Sequence, residues 1–127
     1  MKKTLSLCEN RTFRALYQKG KKAVLPDFAV YYRKNRKNEG FNRVGITVSK
    51  KLGNAVCRNR AKRVLREAYR LREPMLQTGY DIVFVARMRI LSVKTPQVGK
   101  EMDVFFRKGA LVKEKGGFDE KSGPLVN

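Results

Sequence analysis

The chain has 127 residues, with 30 Lys and Arg against 11 Asp and Glu, a formal net charge of +19. That length suits one domain with a real core, and self-repulsion on this scale points to a polyanionic partner rather than to a generic soluble enzyme. Histidine is absent, which removes the usual general base near neutral pH and every Ser-His or Cys-His nucleophile pair.

The opening, Met1-Lys2-Lys3 and onward, has the positive start of a signal peptide without its continuous apolar core. No later apolar run approaches the roughly 20 residues of a spanning helix. A cytoplasmic protein with no membrane partner is the expectation. Ser6 and Glu9 stand at capping-box spacing, and Phe13, Leu16 and Tyr17 recur at helical intervals before Gly20, which predicts a helix from about Leu7 to Lys19. Cys8 and Cys57 are too few for a zinc finger or a disulfide framework, and both read as reduced thiols.

Asp27 to Arg33 and Asn42 to Ser49 have strand composition, and the polar stretch 34–40 between them predicts an antiparallel hairpin. A short strand near Ala23-Val24-Leu25 precedes it. In the second strand Val44, Ile46 and Val48 share a core face. Arg43, Gly45, Thr47 and Ser49 share the other, a low-relief face with room for a ligand backbone, bordered by Ala29, Tyr31 and Arg33. A plain solvated sheet face accounts for the same pattern.

Between Lys50 and Arg72 nine cations face one carboxylate, Glu67. A Gly53-Asn54 breaker leads into an apolar repeat, so the segment describes a folded helix. At about 100° per residue Cys57, Ala61, Val64, Leu65, Ala68 and Leu71 fall on one arc. Asn59, Lys62, Arg63, Arg66 and Arg70 fall on the opposite arc, with Arg58 and Arg60 flanking it near the anion-attracting helix start. Arginine suits phosphate because its fork makes two directed hydrogen bonds. An ordinary charged surface helix would alternate its cations with acids, and this face does not.

Glu73-Pro74 ends that helix. The apolar run from Ile82 to Ala86 within Tyr80 to Arg87 predicts a strand buried on both faces, parallel to the preceding strand if adjacent to it. Thr95-Pro96 then opens a helix with Val98, Met102, Phe105 and Phe106 as its core stripe, up to Gly109. From Lys113 onward the chain is polar, Gly-rich and unpatterned, and is expected to lack fixed structure. The expected architecture is α+β: an α/β sandwich of about three helices on one mostly antiparallel sheet with a βαβ crossover, in a single domain over 1–112 followed by a 113–127 tail. Acids are scattered singly apart from Asp119-Glu120 and Glu101/Asp103, and no catalytic constellation emerges. Phe13, Tyr17 and Tyr31 are candidate stacking platforms for single-stranded nucleic acid, although core positions explain aromatics equally well.

The run Lys50-Lys51-Leu52-Gly53-Asn54-Ala55-Val56-Cys57-Arg58-Asn59-Arg60-Ala61-Lys62-Arg63, followed by Arg66-Glu67, resembles the signature of the bacterial ribonuclease P protein subunit. Phe28 to Tyr31, Arg43 to Ser49 and Tyr80 to Arg87 agree with it, and the likeness covers about Leu5 to Val112. The resemblance implies a ribosomal-protein-S5-domain-2-like fold bound to a catalytic RNA subunit. Together they would remove the 5′ leader from precursor tRNA, an endonuclease whose active site and Mg²⁺ ions sit in the RNA. No small-molecule substrate and no catalytic residue of the protein's own are implied. By the same resemblance Arg58, Asn59, Arg60, Lys62, Arg63 and Arg66 meet the RNA subunit, and Arg70, on the same projected arc, is expected to join them. Phe13, Tyr17 and Tyr31, with Lys50 and Lys51 nearby, line a cleft for the leader. Composition alone supports a ribosomal or general RNA-binding protein as well. A metal-dependent protein nuclease would need clustered acids, and Asp27, Asp81 and Glu101 stand apart in the sequence.

Overall fold

A computed structural model describes residues 3–7, 10–109 and 111–112. Eight main elements follow in chain order: β1 (Thr4–Ser6), α1 (Asn10–Lys19), β2 (Lys21–Val24), β3 (Phe28–Lys34), β4 (Asn42–Thr47), α2 (Ala55–Arg72), β5 (Tyr80–Ala86) and α3 (Thr95–Lys108). Short helical turns at Lys50–Leu52, Glu73–Met75 and Met88–Ser92 connect them. No helix among the described residues is long and apolar enough to cross a membrane.

The five strands form one sheet in the order β1-β4-β5-β3-β2. β5 is central, and Ile82, Val83 and Phe84 are fully buried, as a strand covered on both faces requires. β4 runs parallel to β5, so β4-α2-β5 is the expected βαβ unit. The sheet is mixed rather than mostly antiparallel: β1–β4 and β4–β5 are parallel, whereas β5–β3 and β3–β2 are antiparallel.

The expected hairpin of β3 with β4 does not form, because β5 lies between them. The 34–41 segment wraps the start of β5 instead of folding back on itself. Asn35 N–H donates to Gly79 O at 2.7 Å, Gly79 N–H to Phe41 O at 2.9 Å, and Asn38 Nδ2 to Tyr80 O at 3.1 Å. Asp81 collects the rest of that loop, accepting from Asn35 Nδ2 (2.9 Å), Asn38 Nδ2 (2.8 Å) and both ends of the Arg43 fork (2.9 and 3.0 Å). Burial works to raise the Asp81 pKa, but these donors outweigh it and hold the carboxyl below its ordinary range. The most apolar strand thus takes two partners, and the polar loop closes around its only acid.

β1 carries no sequence signal, since three residues contain too little alternation to read. Ser6 belongs to it, so α1 begins at Asn10 and not near Leu7. Cys8 and Glu9 lie outside the described residues, as does the 113–127 tail. β2 starts two residues ahead of the expected position.

α2 and α3 pack on one face of the sheet, over Phe28, Val30, Ile82 and Phe84. α1 covers the other face through Leu16, which joins Leu7 and Val83 in a smaller core. On α2, Ala61, Val64, Leu65 and Ala68 are buried as predicted, and Tyr69 joins them. Leu71, expected inside, is 55% exposed, and Cys57 is only half-buried. The seam with α3 explains the rotation: the Arg72 guanidinium pairs with Asp103 at 2.9 Å and lies over Gly99, where a Cβ would stand 2.4 Å from it. That contact turns Leu71 toward solvent. The α3 cap shifts as well, with Lys94 at the N-cap and Thr95-Pro96 already helical.

Candidate nucleic-acid interface

Asn54 starts the basic helix. Its side chain accepts from Cys57 N–H at 3.0 Å, and Gly53 before it adopts φ +122°, a left-handed conformation that favours glycine. With the Ala61/Leu65/Ala68 stripe against the sheet, the arginine arc must point outward. Asn59, Arg63, Arg66 and Arg70 are exposed, and Arg58, Arg60 and Lys62 are partly so.

These side chains are not equivalent. Arg63 and Arg66 form no ion pair or hydrogen bond among the described residues, so both forks are available to a ligand. Arg70 is engaged by Glu67 through two bonds of 3.1 and 2.6 Å, which also draw the Glu67 carboxyl below its ordinary pKa. Arg60 donates to Val93 O at 2.9 Å and to Ile90 O at 3.4 Å, tying α2 to the turn after β5. Arg58 holds its Nε buried without a hydrogen-bond partner among the described residues. Arg60, Arg63, Arg66 and Arg70 also line a groove that reaches Lys94 and Pro96 at the start of α3. The arc is therefore a two-arginine centre, Arg63 and Arg66, with structural arginines at its margins.

On the opposite face of the sheet, α1 brings the predicted aromatics together. Tyr17, 41% exposed, stands edge-on to Tyr31 with ring centroids 4.8 Å apart. Lys22 places its Nζ 5.4 Å from the Tyr31 ring centroid. Phe13 fills the space that Gly45 leaves: a Cβ there would lie 2.8 Å from Phe13 Cε1 and 2.9 Å from Leu7 O. The low-relief patch at Gly45 is thus occupied by the protein's own ring and offers no room for a ligand backbone. The open part lies one row further along, where β-pairing sets Val24, Ala29, Val85 and Thr47 side by side. None of these four is buried. β4 then leaves through Ser49, whose hydroxyl caps the turn bearing the exposed Lys50 and Lys51. This is a shallow strip with Tyr17 and Tyr31 on one side and lysines at both ends.

The ribonuclease P protein model matches residues 1–109. The chain belongs to the ribonuclease P protein family. Over 112 residues it is 44% identical to the ribonuclease P protein component of Clostridium perfringens, covering 84% of this chain and 90% of that one. With the corresponding protein of Alkaliphilus oremlandii it shares 47% over 87 residues, 68% of this chain and 75% of the other. Among solved structures, the Staphylococcus aureus RNase P protein superposes with a TM-score of 0.74 at 31% identity, over 85% of this chain and 97% of that one. The Thermotoga maritima RNase P protein gives 0.72 at 29%, over 82% and 96%.

Sequence pattern alone does not single out Lys22 or the Val24/Ala29/Val85/Thr47 row. Strand alternation singles out Ala29 and Thr47, but only the strand order places Val85 between them. The acids weighed for a nuclease are structural. Asp81 closes the β3–β4 loop, whereas Glu101 accepts from Asp27 N–H at 2.9 Å and from Gln97 at 3.2 Å. Asp27 is fully buried, with neither carboxyl oxygen hydrogen-bonded to a donor among the described residues and Arg89 Nε at 3.5 Å. Burial, then the neighbouring Glu101 carboxyl, push its pKa from the ordinary 3.8 to about 6. Among the described residues no three His, Cys, Asp or Glu side chains group as metal ligands.

Proposed function

We propose that the chain is the protein subunit of a ribonucleoprotein ribonuclease P, assisting a catalytic RNA in the endonucleolytic removal of 5′ leaders from precursor tRNA. The observation that carries this reading is the placement of two unlike surfaces on opposite faces of one sheet. The Arg63/Arg66 arc suits the phosphates of a structured RNA. The strip beside Tyr17 and Tyr31 suits a single strand, because aromatic faces stack on bases while flanking lysines follow the backbone. A general RNA-binding protein needs only the first surface.

In this reading Arg63 and Arg66 dock the RNA subunit, with Lys62 and Asn59 beside them. Arg58 and Arg60 support that docking from the helix start, and Arg70 contributes less because Glu67 already holds it. Phe13 sets the height of α1 over the sheet, and Tyr17 and Tyr31 with Lys50 and Lys51 hold the leader. The acids of the described residues are mostly buried or arginine-paired, a donor set that does not fit a Mg²⁺ site on the protein. Mg²⁺ then belongs to the RNA, and the protein acts by bringing substrate and RNA phosphates together. Reconstitution tests this: the purified protein alone leaves precursor tRNA intact, and adding it to the ribonuclease P RNA of the same organism raises cleavage at low Mg²⁺. Cleavage by the protein without RNA, or no effect on the RNA, overturns the reading.

A further inference from the structure

A second concavity adjoins the arginine arc, where the edge strand β1 passes under α2. Thr4 and Ser6 of β1 with Val44 and Ile46 of β4 make its floor, and Lys62 and Arg66 of α2 make its wall. Its back is pinned: Thr4 Oγ1 meets Tyr69 Oη at 2.8 Å and bonds the buried Glu73 carboxylate, which also accepts from Lys3 N–H at 3.1 Å. These bonds hold three-residue β1 against the last turns of α2, leaving a crevice of about 320 Å³.

The lining is amphipathic in a particular way. Val44, between Ser6 and Ile82, and Ile46, paired with Phe84 just past the end of β1, are only half-buried, so an apolar floor stands open. Above it two cations have no partner among the described residues, and the Ser6 hydroxyl lies exposed at the rim. A nucleotide has the complementary make-up of flat apolar base, hydroxylated sugar and anionic phosphate. The volume falls at the low end of the roughly 300–1,000 Å³ typical of small-ligand sites, too confined for a duplex. Unpaired, splayed-out nucleotides are also what proteins recognise most specifically in RNA, with hydroxyl contacts marking the 2′-OH.

Resting on the function proposed above, we infer that this β1–α2 crevice seats one unpaired nucleotide of the RNA subunit. Its base lies on Val44 and Ile46, its 2′-OH reaches Ser6, and its phosphate meets Lys62 and Arg66. Arg66 thereby serves both the crevice and the arginine arc, so the RNA subunit is gripped on two sides of α2.

Plugging the crevice tests the inference. Ser6→Phe fills it from the exposed rim, whereas Val104→Phe places the same ring on the exposed side of α3, away from the crevice. Affinity for the ribonuclease P RNA should fall about tenfold for Ser6→Phe and stay within about twofold for Val104→Phe. Acylation of RNA 2′-hydroxyls in saturated complexes adds a second readout. One unpaired nucleotide protected by the wild type should regain reactivity with Ser6→Phe while the rest of the footprint persists. If circular dichroism shows that Ser6→Phe is not folded, Ser6→Leu carries the same measurements. Equal affinity and an identical footprint overturn the nucleotide seat and leave the free β1 edge to another ligand, such as an added peptide strand. A wild-type protein that does not bind this RNA at all would instead overturn the function proposed above.

Discussion

Replacing Asp27 by asparagine isolates the one described carboxyl that folding forces into a fully buried place without a hydrogen-bond donor. As an anion it has, among the described residues, only Arg89 Nε at 3.5 Å to offset its desolvation; as a neutral acid it can donate to Glu101. A pKa carried from 3.8 to about 6, at about 1.4 kcal/mol per tenfold change in proton affinity, penalises the ionised state by about 3 kcal/mol. Because the folded pKa is raised, the folded protein binds more protons than the unfolded chain between these values. The Asp27 contribution is therefore fully favourable below 3.8 and is lost as pH rises through about 6. Asparagine keeps the shape, donates to Glu101 at every pH and removes this dependence. Urea unfolding followed by circular dichroism should show Asp27→Asn more stable than wild type by up to about 3 kcal/mol near pH 7.5, with the gap closing toward about pH 4. A gap independent of pH, or an asparagine variant that is the less stable near pH 7.5, refutes the reasoning.

Gly45→Ala drives a methyl into Phe13 and Leu7 O, and should cost about 1–3 kcal/mol in denaturant unfolding by lifting α1 from the sheet. Arg63→Ala and Arg66→Ala should each weaken RNA-subunit binding by about 1–3 kcal/mol and lower the salt slope by about one, measured by filter binding across a salt series. Arg70→Ala should cost less, and Arg60→Ala should reduce thermal stability as well as binding because Ile90 O and Val93 O lose their donor. Tyr31→Ala should leave RNA-subunit affinity intact while weakening precursor relative to mature tRNA by about 1–3 kcal/mol; equal losses on both substrates would make Tyr31 structural.

The basic helix was legible because its two periodicities coincide: apolar residues and cations repeat at the same 3.6-residue spacing on opposite arcs. β5 was legible because its apolar run is uninterrupted. What local pattern does not carry is which strands meet. Two strand-like segments joined by a polar stretch read as a hairpin, and only the Asp81 hub, assembled from residues far apart in sequence, shows that the stretch encloses β5. The same limit hid the occupied space over Gly45, since the ring that fills it comes from another element. It also made the arginines look alike. Helical projection separates inward from outward, but not Arg63, which has no partner among the described residues, from Arg60, whose acceptors lie on the turn after β5.

The placement of acids explains how so cationic a chain presents two distinct RNA surfaces. Among the described residues Asp81, Asp103 and Glu67 are each bonded to an arginine, Asp27, Glu73 and Glu101 are buried, and Glu39 alone is exposed and unpaired. Two of these pairs fix junctions, Arg43 the β3–β4 loop and Arg72 the α2–α3 seam, while Arg70 pairs within the last turns of α2. The carboxylates thus neutralise the cations that hold the fold and leave Arg63, Arg66, Lys22, Lys50 and Lys51 uncompensated. Dissolved salt screens the repulsion among exposed cations, largely so beyond about 10 Å at about 0.1 M ionic strength. The folded state should therefore gain stability as salt rises, while its affinity for RNA falls along the same series. Opposite responses of fold and binding to one ion are what a surface kept cationic for its partner requires.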